Sequence, residues 1–269
     1  MSYKMIVLDL DDTLLKNDRT ISVRTKKTLL EAQTAGVKVV LASGRPDFAV
    51  KPIAKELELE KHGGFIVSFN GAKITDCVNG NELFSAGMSA EAVHKLFEMS
   101  KAEGAFIHTY IGDDIIASEM NEYTDIEKQI TGMNIIVPSD FKAYIKSDVV
   151  KVIVLQSPEK IKVIEEKWKP IIKNELYMTT SKPFFLEFMN PSVDKGKSVL
   201  RLAQMLQISA AEIIAFGDSC NDISMLEAAG TGVAMENAVE RVKSIADYVT
   251  ASNENDGVAL AVERFVLNK

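Results

Sequence analysis

Acidic side chains near the start of the chain have the spacing of a pair that can do chemistry. Asp9-Leu10-Asp11-Asp12-Thr13 follows directly after the apolar run Met5–Leu8. Side chains alternate between faces along an extended chain, so we expect Asp9 and Asp11 to project the same way. Two carboxyl groups in different environments can then take two different roles. A solvated acidic turn is the alternative. A calcium loop does not match, because Thr20 stands where such a loop needs glutamate.

A serine and a glycine follow the next apolar run of the chain. Ser43-Gly44-Arg45 comes after Val39–Ala42 and before Pro46, a residue that the first turn of a helix tolerates. A hydroxyl group, an unhindered backbone and the N-terminus of the following helix can together hold phosphate oxygens. Taken alone, the same segment is also typical of an ordinary turn with a helix cap.

A lysine opens a predicted helix in the last third of the chain. Lys195 follows Asn190–Asp194, and a surface lysine beside an acid is its simpler interpretation. The adjoining Gly196-Lys197-Ser198 resembles the end of a nucleotide-binding P-loop. Pro191 stands at the first glycine position of that motif, and proline supplies neither the amide nor the positive φ that the loop needs. Binding of a nucleoside triphosphate is therefore not expected.

A fourth polar segment contains two acids spaced four residues apart. Gly217-Asp218-Ser219-Cys220-Asn221-Asp222 follows the apolar run Ile213–Phe216. Magnesium prefers oxygen ligands in octahedral geometry and usually keeps several waters, so the two carboxylates are a plausible ligand set. A capped turn, with Asp218 or Ser219 at the helix N-cap, is the alternative.

The four segments share their position at or just beyond the ends of predicted strands. The first part of the chain has the pattern β-α-β-α-β, with buried strands at Met5–Leu8, Val39–Ala42 and Phe65–Phe69 and a helix from Ser22 to about Ala35. The same rhythm returns after Pro191. This pattern predicts a doubly wound, Rossmann-like α/β core with a parallel sheet, in which ligands bind at the carboxyl ends of the strands.

The middle of the chain mixes hairpins with helices, which predicts an inserted α+β domain rather than further parallel winding. The predicted boundaries are residues 1–82 and 188–269 for the core and 83–187 for the insert. The predicted elements of the insert include a helix at Ser89–Lys101, strands at Phe106–Tyr110 and Ile115–Ser118, and a strand at Val149–Leu155. In the last part of the chain, Val239–Ala246 is predicted to be a helix.

The charge and cysteine content of the chain disfavour a nucleic-acid-binding, secreted or membrane protein. Lys plus Arg is 31 and Asp plus Glu is 38, a formal charge of −7, and no dense basic run indicates a nucleic-acid partner. A phosphate site must therefore be built locally, from a cation or from backbone amides. Two cysteines fit a reducing compartment, and neither a signal peptide pattern nor a long apolar run indicates secretion or a membrane. A cytoplasmic location is expected, and no pattern indicates an oligomeric state.

Together the four segments closely resemble the four motifs of the haloacid dehalogenase (HAD) superfamily. Ser68-Phe69-Asn70-Gly71-Ala72 and Asp194-Lys195-Gly196 further resemble its Cof-type branch, subclass IIB. The resemblance extends over the whole chain. It implies that the inserted α+β domain is the cap domain that this branch carries between its second and third motifs, and that the chain is a magnesium-dependent phosphatase.

The resemblance also implies a role for each motif residue. Asp9 matches the nucleophile that forms an aspartyl phosphate, and Asp11 matches the general acid and base. The other implied roles are phosphate binding by the Leu10 and Gly44 amides, Ser43, Lys195 and Asn221, magnesium binding by Asp9, the Asp11 carbonyl, Asp218 and Asp222, and support from Thr13 and Arg45.

Three other functions are alternatives to a phosphatase. A hydrolytic dehalogenase lacks the second acid of the first motif, so Asp11 and the Asp218/Asp222 pair disfavour it. A phosphomutase and a non-catalytic binding or regulatory protein remain open. The expected substrate is a small phosphorylated metabolite, with sugar phosphates first and flavin mononucleotide or pyridoxal phosphate as alternatives. His108, Tyr110, Asp113, Phe184 and Phe185 are candidate pocket residues, although strand or core positions explain them equally simply.

Overall fold

The computed structural model describes residues 3–172 and 175–269, and it divides into two compact units. The first unit comprises Met1–Phe84 and Asp194–Lys269, and the second comprises Ser85–Val193. The elements up to the first crossing between units are β1 (Met5–Leu8), α1 (Val23–Thr34), β2 (Lys38–Ala42), α2 (Asp47–Glu56), α3 (Leu59–His62), β3 (Phe65–Ser68), β4 (Lys73–Asp76) and β5 (Glu82–Ser85).

The second unit alternates short strands with helices. Its elements are α4 (Ala90–Ala102), β6 (Phe106–Ile111), β7 (Asp114–Ala117), α5 (Glu122–Thr131), β8 (Asn134–Ile136), α6 (Phe141–Tyr144), β9 (Val152–Leu155), α7 (Pro158–Ile172), β10 (Tyr177–Lys182) and β11 (Phe185–Met189). The chain then returns to the first unit with α8 (Lys195–Met205), β12 (Ile213–Gly217), α9 (Ile223–Ala228), β13 (Thr231–Ala234), α10 (Glu240–Lys243), β14 (Tyr248–Val249) and α11 (Gly257–Phe265).

The first unit is built on a sheet of eight strands in the order β14-β13-β12-β1-β2-β3-β4-β5. The strands from β14 to β3 are parallel, and β4 runs antiparallel to β3. Every residue of β1 is buried, as expected for a parallel strand covered on both faces. Leu8, its last residue, lies opposite Phe216 on one side and Leu41 on the other, so three strand ends meet.

The second unit contains a sheet of six strands in the order β10-β11-β9-β6-β7-β8. Its pairs are antiparallel except for β7 and β8. Side chains such as Ile107, Val154 and Leu186 join Ile164 and Trp168 of α7 in one hydrophobic core. The fold class is therefore the predicted one, a Rossmann-like α/β core with an inserted α+β unit.

Several element boundaries differ from the sequence-based prediction. The strand predicted at Val149–Leu155 begins only at Val152, because Val149 pairs instead with Met88 in an isolated bridge. The helix predicted at Val239–Ala246 is the single turn α10. The prediction lacked α11, whose preceding residue Asp256 has a left-handed φ of 58° and makes no side-chain cap, so no capping signal marks its start.

None of the helices within residues 3–172 and 175–269 has both the length and the apolar character that crossing a membrane requires.

Candidate active site

Three of the four polar segments emerge from neighbouring strands of the core sheet. Asp9 follows β1, Ser43 follows β2 and Asp218 follows β12, and these strands lie side by side with β1 in the middle. The amide of Asp9 donates a hydrogen bond to the carbonyl of Phe216 at 3.1 Å. Because the strands are parallel, the segments converge at the carboxyl edge of the sheet.

Lys195 lies fully buried between two carboxylates. Its Nζ is 2.6 Å from Asp9 Oδ1 and 2.6 Å from Asp222 Oδ1. The side chain arrives from the first turn of α8, whose N-cap Asp194 accepts a hydrogen bond from the Lys197 amide at 2.7 Å. A Cβ on Gly196 would lie 2.1 Å from the Ser224 carbonyl oxygen, so only glycine lets α8 approach α9 this closely.

Asp222 and Asp218 are held by hydrogen bonds from their own loop. The second oxygen of Asp222 accepts from the amides of Asp218 and Ser219 at 3.1 and 3.0 Å. Asp218 accepts from the Thr13 hydroxyl and from the Ser219 hydroxyl, each at 2.9 Å. Thr13 therefore joins the first polar segment to the last, and it fixes the orientation of the Asp218 carboxylate.

The electrostatics of this cluster favour an additional cation. Burial, followed by the charge of Asp222, raises the pKa of Asp9 well above its ordinary value, and Lys195 opposes this only in part. Burial and the charge of Asp222 likewise raise the pKa of Asp218 to about 6. Burial disfavours the charged form of Lys195, but the carboxylates of Asp222 and Asp9 outweigh it and raise the pKa of that ammonium group.

The three buried carboxylates fit a divalent metal ion. Asp9, Asp218 and Asp222 each offer an oxygen, and these atoms all lie within 4.8 Å of one another. With one ammonium group among three carboxylates, the cluster has two excess negative charges, which a divalent ion would neutralise. Oxygen ligands of this kind suit magnesium.

Asp11 lies outside this carboxylate cluster and is engaged by Arg45. Nε of Arg45 donates to Asp11 Oδ2 at 2.8 Å, and a second guanidinium nitrogen donates to Oδ1. Slightly more than half of the Asp11 side chain is exposed, at 55%. The carboxyl group is therefore more exposed than those of the buried cluster, and a bidentate pair fixes its orientation. Asp12, the next residue, has a left-handed φ of 61°.

Ser43, Gly44 and Asn221 line the same edge of the sheet. Ser43 is buried, and its hydroxyl oxygen accepts a hydrogen bond from the Arg45 amide at 3.1 Å. The side-chain Nδ2 of Asn221 donates a hydrogen bond to Asn70 Oδ1 at 3.1 Å. Asn70 is a residue of this site to which no sequence motif assigned a role, although it belongs to the segment Ser68–Ala72 that resembles the Cof-type branch.

Of the five candidate pocket residues of the second unit, three are buried, Phe184 is half-buried and Asp113 is exposed. His108 and Tyr110 are buried on β6, with their rings 5.6 Å apart, and the buried Phe185 lies on β11, on the far side of β9. The Tyr110 hydroxyl donates to Glu127 at 2.6 Å, and it is part of a polar cluster that the sequence did not reveal. That cluster also contains the buried ion pair of Lys151 and Glu187, at 3.2 Å.

Comparison with known proteins identifies the family. The family model described as haloacid dehalogenase-like hydrolase matches residues 6–262. The 5-amino-6-(5-phospho-D-ribitylamino)uracil phosphatase YcsE of Bacillus subtilis is 29% identical, over 99% of this chain and 97% of that protein.

Two solved structures have the same fold over almost the full length of the chain. A haloacid dehalogenase-like hydrolase from Bacteroides thetaiotaomicron superposes with a TM-score of 0.93 at 37% identity, covering 98% of this chain and 99% of that one. A haloacid dehalogenase subclass IIB sugar phosphatase superposes with a TM-score of 0.82 at 26% identity, covering 97% and 98%. The chain thus belongs to the haloacid dehalogenase-like hydrolases and is an enzyme of their phosphatase type.

Proposed function

We propose that this enzyme is a magnesium-dependent phosphatase of small phosphorylated metabolites, with sugar phosphates as the preferred class, and that it works through an aspartyl phosphate on Asp9. The observation that carries this is the buried cluster of Asp9, Lys195, Asp218 and Asp222 at the carboxyl edge of the sheet. Such a cluster combines a nucleophile with one ammonium group and with carboxylates that would hold a divalent cation, and a phosphate dianion requires positive charge of this kind.

In the first step, a carboxylate oxygen of Asp9 attacks phosphorus. The new bond joins that oxygen to phosphorus, and the bond from phosphorus to the ester oxygen of the substrate breaks. Asp11 donates a proton to the leaving oxygen, which departs as an alcohol. In the structure both Asp11 oxygens accept from Arg45, so Asp11 must take up a proton from solvent and release one of these bonds before it can act as the acid, and Arg45 holds the carboxyl group in place until then.

In the second step, water replaces Asp9 on phosphorus. Asp11, now a carboxylate, takes a proton from the water, whose oxygen bonds to phosphorus as the bond to Asp9 breaks. Inorganic phosphate leaves and the Asp9 carboxylate is restored. The same residue therefore acts first as acid and then as base.

Lys195 and the surrounding amides lower the cost of bringing two anions together. The Lys195 ammonium is already in contact with Asp9, so it can offset the repulsion between that carboxylate and the phosphate dianion. The amides of Leu10 and Gly44, the Ser43 hydroxyl and the Asn221 amide are the proposed donors to the phosphate oxygens. Fixed donors of this kind favour the transition state because they need no rearrangement as charge shifts.

Magnesium would be held by Asp9, Asp218 and the Asp11 carbonyl, with Asp222 in support, and when bound it would neutralise the phosphate and help align it with Asp9. Thr13 would keep the Asp218 carboxylate turned toward the ion through its 2.9 Å hydrogen bond. Hydrogen bonds to ligating carboxylates typically tune metal affinity.

The preference for sugar phosphates rests on two relatives. One similar structure is that of a sugar phosphatase, and YcsE acts on a phosphate ester of a ribityl chain. Both compounds present a phosphate on a polyhydroxylated carbon chain. We infer that the predicted cap, residues 83–187, selects this group and that the enzyme works in the cytoplasm, where its two unpaired cysteines stay reduced.

The test is phosphate release from a panel of hexose, pentose and sugar-alcohol phosphates, flavin mononucleotide and pyridoxal phosphate, with magnesium or with a chelator. Wild type is compared with Asp9→Asn, and with Asp12→Asn as a matched control at an exposed neighbouring acid. We expect magnesium-dependent release that Asp9→Asn abolishes and Asp12→Asn retains. Transfer of phosphate to a second hydroxyl without release would instead indicate a mutase, and full activity of Asp9→Asn would refute the nucleophile.

A further inference from the structure

Three consecutive residues after β3 adopt left-handed backbone conformations. Phe69, Asn70 and Gly71 have φ values of 51°, 55° and 102°. Asparagine tolerates this region better than most residues, but a buried phenylalanine rarely adopts it. Such local strain persists only where surrounding contacts impose it, and it tends to occur at functional sites.

The contacts that hold Phe69–Gly71 in this left-handed conformation come from two of the active-site segments. The amide of Asn70 donates to the Ser43 carbonyl at 2.9 Å, and the amide of Phe69 donates to the Arg45 carbonyl at 3.1 Å. On the other side, the Ser198 hydroxyl of α8 donates to the Gly71 carbonyl at 2.6 Å. A Cβ on Gly71 would lie 2.5 Å from the Asp194 carbonyl oxygen, so the turn packs directly against the start of the helix that carries Lys195.

The Asn70 side chain reaches the remaining segments of the site. Its Oδ1 accepts from Asn221 Nδ2 at 3.1 Å. The same carboxamide lies over Gly44, since a Cβ built on Gly44 would be only 3.1 Å from Asn70 Oδ1. The turn at Phe69–Gly71 therefore contacts the Ser43 loop, the Lys195 helix and the Asn221 loop at once.

We propose that Asn70 is a positioning residue of the phosphatase site, whose carboxamide sets the orientation of Asn221 while its left-handed backbone sets the position of the Ser43-Gly44 loop. This inference rests on the proposed function of those residues as phosphate donors. A donor that is turned away from the phosphate is lost mainly in the transition state, where alignment matters most, so the effect should fall on kcat more than on KM.

Two substitutions separate the side chain of Asn70 from its backbone. Asn70→Gly keeps the left-handed conformation and the amide bond to Ser43 but removes the carboxamide, and we expect kcat to fall about ten- to a hundredfold with KM changed less than about threefold. Asn70→Asp keeps an oxygen that accepts from Asn221 but adds a negative charge beside Gly44. It should retain kcat within about threefold and raise KM about tenfold, because the charge repels the phosphate dianion.

Gln207→Gly is the matched control, since Gln207 also has a left-handed φ, of 57°, and lies outside the four active-site segments. It should show wild-type kinetics with p-nitrophenyl phosphate. The double variant Asn70→Gly/Asn221→Ala should be about as slow as the slower single variant, because both changes remove the same oriented donor. Equal kinetics for Asn70→Gly and Gln207→Gly, or additive losses in the double variant, would overturn the positioning role.

A readout independent of turnover is the side-chain amide signal of Asn221 in the 1H–15N NMR spectrum. We expect this signal to move in Asn70→Gly, to stay near its wild-type position in Asn70→Asp and to be unchanged in Gln207→Gly. An unmoved signal in Asn70→Gly would overturn the proposed orientation of Asn221. If wild type hydrolysed no ester, the proposed function would fail, whereas this spectrum would still decide whether Asn70 orients Asn221.

Discussion

Asn cannot replace Asp222 without leaving a hydrogen-bond donor facing another donor. One oxygen of Asp222 accepts from the Lys195 ammonium at 2.6 Å, and the other accepts from two backbone amides at 3.1 and 3.0 Å. In Asp222→Asn, the new NH2 group must face either the ammonium or the two amides, and all of these are donors. In either orientation the two donors meet in a buried position, because the Asp222 side chain is 0% exposed.

The expected cost follows from the bonds that are lost. Losing a hydrogen bond to a buried charged group costs about 1.5–3 kcal/mol, and removing one partner of a buried ion pair costs about 3–5 kcal/mol. Relief of the repulsion between Asp222 and Asp9 offsets part of this. We therefore expect Asp222→Asn to lower the free energy of unfolding of the core unit by about 3 kcal/mol in the absence of metal.

Asp218→Asn is the matched control, with the same chemical change in the same loop. Its partners are the hydroxyls of Thr13 and Ser219, which can rotate to donate or to accept. An asparagine can keep the bond from Thr13 and donate to Ser219, so we expect a loss below about 1 kcal/mol. Both variants should bind magnesium weakly, because each removes a carboxylate from the cluster.

The assay must report on the core unit. The single tryptophan, Trp168, lies in the second unit, so its fluorescence does not report the unfolding of the core unit. Amide hydrogen exchange of β1 and β12 as a function of urea, in chelator at neutral pH, measures the opening of the core sheet. If Asp222→Asn and Asp218→Asn lost the same free energy, the donor-against-donor reasoning would be wrong.

Three further predictions concern Thr13, Arg45 and His108. Thr13→Val keeps the shape but removes the hydroxyl that holds Asp218, and calorimetry should show magnesium affinity about tenfold weaker, with Thr13→Ser close to wild type. Arg45→Met should lower kcat about tenfold because Asp11 loses its bidentate partner, and Arg45→Lys should lose less. An unchanged kcat in Arg45→Met would remove Arg45 from the mechanism. Burial, aided by Lys151, lowers the pKa of His108 to about 3, so below about pH 6.5 the unfolded chain takes up a proton that the folded chain refuses. The free energy of unfolding therefore decreases as the pH falls, by about 2 kcal/mol at pH 5. His108→Phe should abolish this decrease, whereas His62→Gln should show the same decrease as wild type.

The sequence predicted the core of this fold because its signals are local. The runs Met5–Leu8 and Ile213–Phe216 are continuous apolar stretches, which only strands covered on both faces need. Parallel strands bring their carboxyl ends to one edge, so the polar residues that follow them converge without any knowledge of tertiary contacts. Lys195 was assigned to the site only through the resemblance to the HAD motifs, because its own surroundings in the sequence are equally typical of a surface lysine.

Other features depend on contacts between distant segments, and no local pattern reports them. The Arg45 pair with Asp11 forms only when two loops meet, and the buried pair of Lys151 and Glu187 forms only because β9 and β11 are neighbours. Asn70 lies in the segment Ser68–Ala72 that resembles the Cof-type branch, but Asn221, whose side chain it contacts, is 151 residues away in the sequence. Boundaries such as that of β9 shifted because one long-range bridge, between Met88 and Val149, displaced the local preference.

The most direct test of the mechanism is to trap the aspartyl phosphate on Asp9. Asp11→Asn lacks the base for the second step, and p-nitrophenyl phosphate has a leaving group that needs no acid for the first, so the intermediate should accumulate. After borohydride reduction and proteolysis, mass spectrometry should find homoserine in place of Asp9 only when magnesium and ester are both present. An unmodified Asp9 in an enzyme whose wild type hydrolyses the same ester would contradict covalent catalysis at this residue.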